Sequence, residues 1–221
     1  MTAGRGQNMI VISVVHQKGG VGKSTISQAL AAGLEGRTRI YDADQQGTTS
    51  RWVERRQEEG VSKPELAVGR IEELPGLIEQ AEKNGIDWFV IDTPPEHSGE
   101  VNLRTALSVA DFAVMPTRAG AHDVQVLPKT MRIARQIGVP FAVVMNEYDG
   151  RRSLHKQVLA DLEDMAARSG HTVLRPLRSL AAHQDSTYAA QTATEYAPSS
   201  DAARDMILLT REVRQITRGE R

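Results

Sequence analysis

Short apolar runs alternate along the chain with longer segments in which apolar residues recur every three or four positions. The runs lie over 10–15, 39–41, 88–91, 112–115, 141–145 and 172–174. Those over 10–15, 88–91, 112–115 and 141–145 are continuously apolar, as strands covered on both faces are. The periodic segments over 24–34, 48–58, 71–83, 101–108, 123–137, 154–167 and 200–216 predict helices. Strand and helix in alternation predict an α/β fold. Its sheet is mostly parallel and twisted, with right-handed crossovers and helices on both faces. Ligands of such sheets bind beyond the carboxyl ends of the strands. Residues 59–69 are the least regular and read as a surface connection. The length of 221 residues fits one domain, taken over 9–217. A polar, glycine-rich lead-in over 1–8 would precede it and a polar tail over 218–221 would follow.

Composition narrows the chemistry. The chain contains no cysteine, which excludes disulfides, thiolate metal sites, cysteine nucleophiles and cysteine-held iron–sulfur clusters. No apolar run approaches the ~20 residues of a membrane-spanning helix. The lead-in has no apolar h-region, so it does not read as a signal peptide. Net charge is −1, but its distribution is uneven. Residues 1–117 carry 12 basic and 16 acidic groups, whereas residues 118–221 carry 15 and 12. The basic bias of the second half comes mostly from arginine, the better fork for phosphate oxygens. His16, His97, His122, His155, His171 and His183 show no metal-ligand spacing and read as surface or capping residues.

The strongest chemical signal is Gln17-Lys18-Gly19-Gly20-Val21-Gly22-Lys23-Ser24-Thr25, between the first strand and the first helix. Glycines there let backbone N–H groups turn inward around phosphate oxygens. Lys23 is placed to reach the β- and γ-phosphates of a nucleotide, and the Ser24 hydroxyl to ligate Mg²⁺. The standard loop begins with glycine where this chain has Gln17, and it lacks a lysine at position 18.

That loop resembles the deviant Walker A form of the ParA/MinD family of ATPases. The resemblance implies a slow, partner-stimulated ATP hydrolase with ATP and Mg²⁺ as cofactors and an ATP-dependent homodimer. The nucleotide would be held by Lys18, Gly19, Gly20, Val21, Gly22, Lys23, Ser24 and Thr25. Lys18 would cross the dimer interface and touch the phosphates of the other subunit. A cation supplied in trans would stabilise charge spreading over the transferring phosphoryl group. Asp42-Ala43-Asp44-Gln45-Gln46-Gly47 is similar to the family's first switch, with Gln45 in place of its usual proline. It implies that Asp44 orients the attacking water and that Asp42 lies near the Mg²⁺ shell. Asp92-Thr93-Pro94-Pro95 closes an apolar strand and looks like a Walker B element, with Asp92 holding Mg²⁺ through water. Asn146, at the end of another strand, would read the adenine edge. Glu195-Tyr196-Ala197-Pro198-Ser199-Ser200-Asp201-Ala202-Ala203 resembles the family's closing segment before its last helix.

Within the family the chain is most similar to short plasmid ParA proteins, which also carry a match to Thr49-Ser50-Arg51-Trp52. That implies non-specific DNA binding by the ATP dimer, a centromere-binding adaptor of the ParB type, partition of a plasmid or chromosome region, and a cytoplasmic, nucleoid-associated location. Binding without sequence preference needs phosphate neutralisation and little else. The candidate contacts are Arg151, Arg152, Lys156, Arg175, Arg178 and Arg211. The MinD branch would need a C-terminal amphipathic membrane helix. Met206, Leu209, Val213 and Ile216 read instead as a face packed on the sheet, so no membrane partner is expected. Two alternatives stand beside partition: a ParA-like ATPase that positions a protein cargo, and a metabolic P-loop kinase or ligase.

Overall fold

The computed structural model describes residues 9–44, 46–94 and 99–219. The lead-in over 1–8, Gln45, Pro95, His97 and residues 220–221 of the tail lie outside the described residues. The strands are β1 (Ile10–Val14), β2 (Thr38–Asp42), β3 (Glu65–Val68), β4 (Trp88–Asp92), β5 (Phe112–Thr117), β6 (Phe141–Met145) and β7 (Thr172–Leu174). The helices are α1 (Lys23–Gly33), α2 (Thr48–Glu58), α3 (Leu74–Lys83), α4 (Gly99–Ser108), α5 (Ala121–Ile137), α6 (Ser153–Ser169), α7 (Ala181–Tyr188), α8 (Ala193–Tyr196) and α9 (Asp201–Arg218).

All seven strands join one parallel sheet in the order β3-β2-β4-β1-β5-β6-β7. Alternate residues of each strand feed opposite faces. Ile12, Val14, Ile40, Trp88, Val90, Val114 and Val144 pack beneath α1, α2 and α9. On the other face Val15, Met115, Val143 and Met145 meet α4, α5 and α6, while Tyr41, Phe89 and Ile91 meet α3. Helix α9 buries Met206, Leu209 and Val213, as their spacing predicts, whereas Ile216 stays 39% exposed. Its start is capped by the Ser200 hydroxyl, which accepts from the Ala203 N–H.

Two departures from the sequence expectation have clear causes. The segment over 59–69 contains β3, an edge strand paired to β2. Its four residues are only half-buried or exposed, so no apolar run advertises it. Glu65 on β3 binds both Arg37 and Arg39, and these ion pairs help seat the edge. Helices α7 and α8 are also additional. They are short, and α7 buries only Ser186 along its length, which leaves no apolar stripe to read.

Register brings the chemistry together. Val14 pairs with Asp92, and Asp92 pairs with Asp42 across β4 and β2. Thr117 pairs with Met145, so Arg118 and Asn146 leave the sheet side by side. The glycine-rich loop, both aspartate segments and Asn146 therefore share the carboxyl edge, on either side of the central β1.

Candidate nucleotide-binding site

The loop between β1 and α1 turns through Gly20 at φ +74° and Gly22 at φ +100°. Position 22 admits no side chain. A Cβ there would lie 2.1 Å from Asn146 Nδ2, besides the strain of the left-handed backbone. The close approach is used: Asn146 Nδ2 donates to the Val21 carbonyl at 3.0 Å, and the Asn146 N–H donates to Thr117 O at 2.7 Å. Asn146 thus braces the loop from the end of β6.

Lys23 opens α1 with 7% exposure, and its ammonium donates to the Lys18 carbonyl at 3.1 Å. Burial pushes its pKa down, while Asp92 and then Asp44 push it back up. Among the described residues, no carboxylate lies within ion-pair distance of it. A buried cation on a loop turned by two left-handed glycines, at the start of a helix, fits a phosphate group.

Asp92 is buried at the end of β4. Thr49 Oγ1 on α2 donates to its Oδ2 at 2.6 Å, and Ser27 Oγ on α1 donates to its Oδ1 at 3.2 Å. Burial raises its pKa to about 6, against the opposing hydrogen bonds of Thr49 and Ser24. Ser24 and Asp92 are thus adjacent, the donor pair that a hydrated Mg²⁺ on nucleotide phosphates takes. Among the described residues, no three carboxylates or histidines gather into a metal cage.

Asp42 lies opposite Asp92 in the register of β2 and β4 and is hydrogen-bonded to the chain that follows it. Its Oδ2 accepts from the Ser50 N–H at 2.7 Å and the Ser50 hydroxyl at 2.8 Å, and its Oδ1 accepts from the Asp44 N–H at 3.0 Å. It holds the switch loop and the first turn of α2, whose leading N–H groups need acceptors. Asp44 is half-buried, and its Oδ1 accepts from the Gln46 N–H at 2.9 Å.

Lys18 is engaged within its own chain. Its ammonium lies 2.5 Å from Asp123 Oδ1, on a carboxylate that is 3% exposed. Arg118 Nε approaches the other oxygen of Asp123 at 3.3 Å, and Arg118 also reaches Glu147 at 3.5 Å. Asp123 sits in the first turn of α5, where the helix dipole also favours an anion. Glu147 takes a left-handed φ of +54°, an uncommon backbone state for a side-chain-bearing residue, directly after Asn146. His16 is 2% exposed, not a surface residue, and its Nδ1 accepts from the Lys18 N–H at 3.0 Å. Burial, and then Lys23, lower its pKa to about 4. His155 is also buried, with Nδ1 accepting from the Asp149 N–H at 3.0 Å.

The residues expected to contact DNA are distributed over the start of α6, the segment after β7 and α9. Arg152 and Lys156 flank and enter α6, exposed, beside Arg151, whose charge is shared with Asp149 at 2.9 Å. Arg175 pairs with Glu212 at 2.9 Å, and Arg211 lies exposed on α9. Arg178 is bound by Asp205 at 2.8 Å and Asp201 at 3.0 Å, which raise its pKa further. Its guanidinium faces a cavity of about 300 Å³ that Thr25 and Asn146 also line.

Several participants carried no local signal. Ser27, Thr49 and Asp123 meet Asp92 and Lys18 only through long-range contacts. A serine four residues after Lys23, on the same helix face, was the one available hint.

The model of the CobQ/CobB/MinD/ParA nucleotide-binding domain family matches residues 12–185. The chain belongs to this family. Over 145 residues it is 34% identical to the maintenance of carboxysome distribution protein A of Gloeobacter kilaueensis, a match covering 64% of this chain and 64% of that protein. The chain thus matches just under two thirds of that relative's length. It is 27% identical to the chromosome-partitioning ATPase Soj of Thermus thermophilus, over 91% of this chain and 94% of Soj. In shape it superposes on the ATP complex of Cyanothece McdA with a TM-score of 0.74 at 13% identity, covering 98% of each chain. That identity speaks for a common fold alone. Among the described residues of this ParA/MinD-family chain, no helix is long and apolar enough to cross a membrane.

Proposed function

We propose that the chain is an ATP hydrolase that forms a dimer when ATP is bound, holds DNA without sequence preference in that state, and lets go on hydrolysis. One observation carries the reading. Two lysines share one glycine loop, with Lys23 buried among the Asp92 and Asp44 carboxylates and Lys18 at the rim, 34% exposed. Lys23 serves its own nucleotide, and Lys18 is free to swing outward once it leaves Asp123.

Each residue then has a task. The loop N–H groups and Lys23 hold the β- and γ-phosphate oxygens. Ser24 and Asp92 would hold Mg²⁺, which neutralises charge on those oxygens when bound. Asp44 accepts a hydrogen bond from the attacking water and keeps it in line. Lys18 reaches the partner's phosphates and places a second cation where negative charge spreads. Arg151, Arg152, Lys156 and Arg211 supply the exposed cations for a DNA backbone.

The cargo has two candidates. Partition of a plasmid or chromosome region with a centromere-binding adaptor fits the match to Soj along nearly the whole chain. Positioning of a protein assembly through a different adaptor fits the more identical match to a carboxysome distribution protein. The hydrolase core is common to both.

Sedimentation of the parent and of Lys18→Ala, with ADP and with a non-hydrolysable ATP analogue, tests the dimer. The parent should dimerise with the analogue alone, and Lys18→Ala should stay monomeric while still binding nucleotide. A Lys18→Ala dimer that hydrolyses ATP at the parent rate would remove the trans role. Retention on unrelated duplexes should require ATP and fall with salt. Turnover of a small metabolite without any effect of DNA would point to a metabolic enzyme.

A further inference from the structure

The cavity of about 300 Å³ beside the loop is large enough to be a small-ligand pocket. Thr25, two residues beyond Lys23, is part of its wall, so the cavity adjoins the loop on which the phosphates of a nucleotide would sit. Asn146, Arg178, His183, Gln184 and Thr187 help to line it. Asn146 has committed its amide nitrogen to the Val21 carbonyl, which leaves Oδ1 as the group it can offer a ligand.

His183 is the unexplained member. It lies in the first turn of α7, and both its ring nitrogens are shielded from water and have no hydrogen-bond partner among the described residues. A neutral imidazole carries one donor and one acceptor, and leaving either unmet away from water is destabilising. His183 borders both a void of only about 10 Å³, with room for one water at most, and the larger cavity.

We infer that His183 is a base-reading residue of the nucleotide site, working with Asn146 to select adenine over guanine. This rests on the ATP hydrolase proposed above. The physical basis is complementarity. The Watson–Crick edge of adenine presents an amine donor next to a ring-nitrogen acceptor. The Asn146 Oδ1 accepts from the amine, and a turn of the His183 ring about Cβ–Cγ brings its N–H to the ring nitrogen. Guanine offers a carbonyl oxygen where adenine has its amine, and that oxygen would face Asn146 Oδ1, acceptor against acceptor. A site built on a hydrogen bond rejects the analogue lacking it strongly, because the buried polar group is left unpaired. Burial lowers the His183 pKa, with Arg178 acting in the same sense and Asp205 against it, so the ring is supported in the neutral form the pairing needs. The Asp205 and Asp201 contacts hold the Arg178 guanidinium in place on the same cavity, where its flat face can stack on the base.

The test is equilibrium binding of ATP, GTP and inorganic tripolyphosphate, each with Mg²⁺, to the full chain and to His183→Ala and His183→Asn. Loss of one such hydrogen bond should weaken ATP about tenfold in His183→Ala and reduce the ATP-over-GTP preference by a similar factor. Tripolyphosphate, which has no base, should bind within about twofold of the parent. His183→Asn keeps a donor and an acceptor and should recover part of the preference. An unchanged ATP-over-GTP ratio in His183→Ala overturns the assignment. So does an equal loss for all three ligands, since that marks a structural role for the ring. If the parent binds neither ATP nor tripolyphosphate, the chain is not the proposed hydrolase and the His183 assignment falls with it.

Discussion

The Lys18–Asp123 contact sets two uses of one lysine against each other. In this structure the ammonium is 2.5 Å from a buried carboxylate of its own chain. To serve the partner's phosphates it must leave. Replacing Asp123 by Asn keeps the shape of the side chain and removes its charge. The contact is an ion pair without hydrogen-bond geometry, since Asp123 Oδ1 has no hydrogen-bond partner among the described residues, and its Coulombic attraction is on the order of 1–4 kcal/mol between the dielectric of water and that of a protein surface. Lys18 is 34% exposed, so water already screens part of that attraction, and Asn still offers a neutral acceptor. The net release is therefore about 1–2 kcal/mol, or about 5- to 30-fold in an equilibrium constant. A dimer frees two such lysines, so Asp123→Asn should tighten the ATP-dependent dimer by about the square of that factor, at least ~25-fold. Sedimentation velocity across a concentration series, with a non-hydrolysable ATP analogue, reads the dissociation constant directly. Thermal unfolding of the variant should show that it is folded. A folded Asp123→Asn whose dimer is equally strong or weaker would refute competition between the cis and trans partners. Combining it with Lys18→Ala should abolish the gain, because the lysine that was released is gone.

Asp44→Ala should bind ATP and dimerise yet lose at least about tenfold in turnover, as measured by phosphate release, since general-base and positioning groups typically contribute more than that. Gly22→Ala should lose both nucleotide affinity and stability. A left-handed alanine costs roughly 1–2 kcal/mol, and its Cβ would drive Asn146 off the Val21 carbonyl; calorimetric titration and thermal unfolding read the two effects. The His16 imidazole is held at about 4, below its ordinary 6.5, by burial and by Lys23. Between these values the unfolded chain binds the extra proton, so the stability from a neutral His16 is full above 6.5 and is lost as the pH falls through about 4. Relative to the parent, His16→Asn should gain ~3 kcal/mol over that interval in denaturant unfolding. A constant difference across pH would mean that His16 is not the buried neutral group.

Much of the architecture was legible because its signals are local. Four of the strands, β1, β4, β5 and β6, are continuous apolar runs, and burial on both faces makes such runs stand out. β3 escaped because an edge strand is half wet and needs no apolar run, and its partners Arg37 and Arg39 come from the start of β2 and the residue just before it. α7 and α8 escaped because they are short and bury few residues. The phosphate loop could be read from spacing, since glycine, lysine and serine at fixed intervals answer a backbone requirement confined to nine residues. Asp92 and Asp44 were legible as strand-end carboxylates. Asp42 was legible as an acid, but its use as an anchor for the Ser50 N–H became visible only once α2 was folded back on β2.

The linear order of residues was enough for the sheet, the crossovers and the edge at which chemistry gathers, because backbone periodicity and the direction of parallel strands follow from neighbours in the chain. It was enough to place Lys18 in the loop. What holds Lys18 was not written there. Asp123 lies on α5, on the far side of β4 and β5 in sequence, and the two meet because the sheet order seats β1 beside β5. Likewise, Asn146, Arg178 and His183 share a cavity only after β6 and α7 are stacked against the loop. Contacts between residues so distant in the chain depend on which strand lies next to which, and that is settled by the packing of the whole core, not by any segment of it.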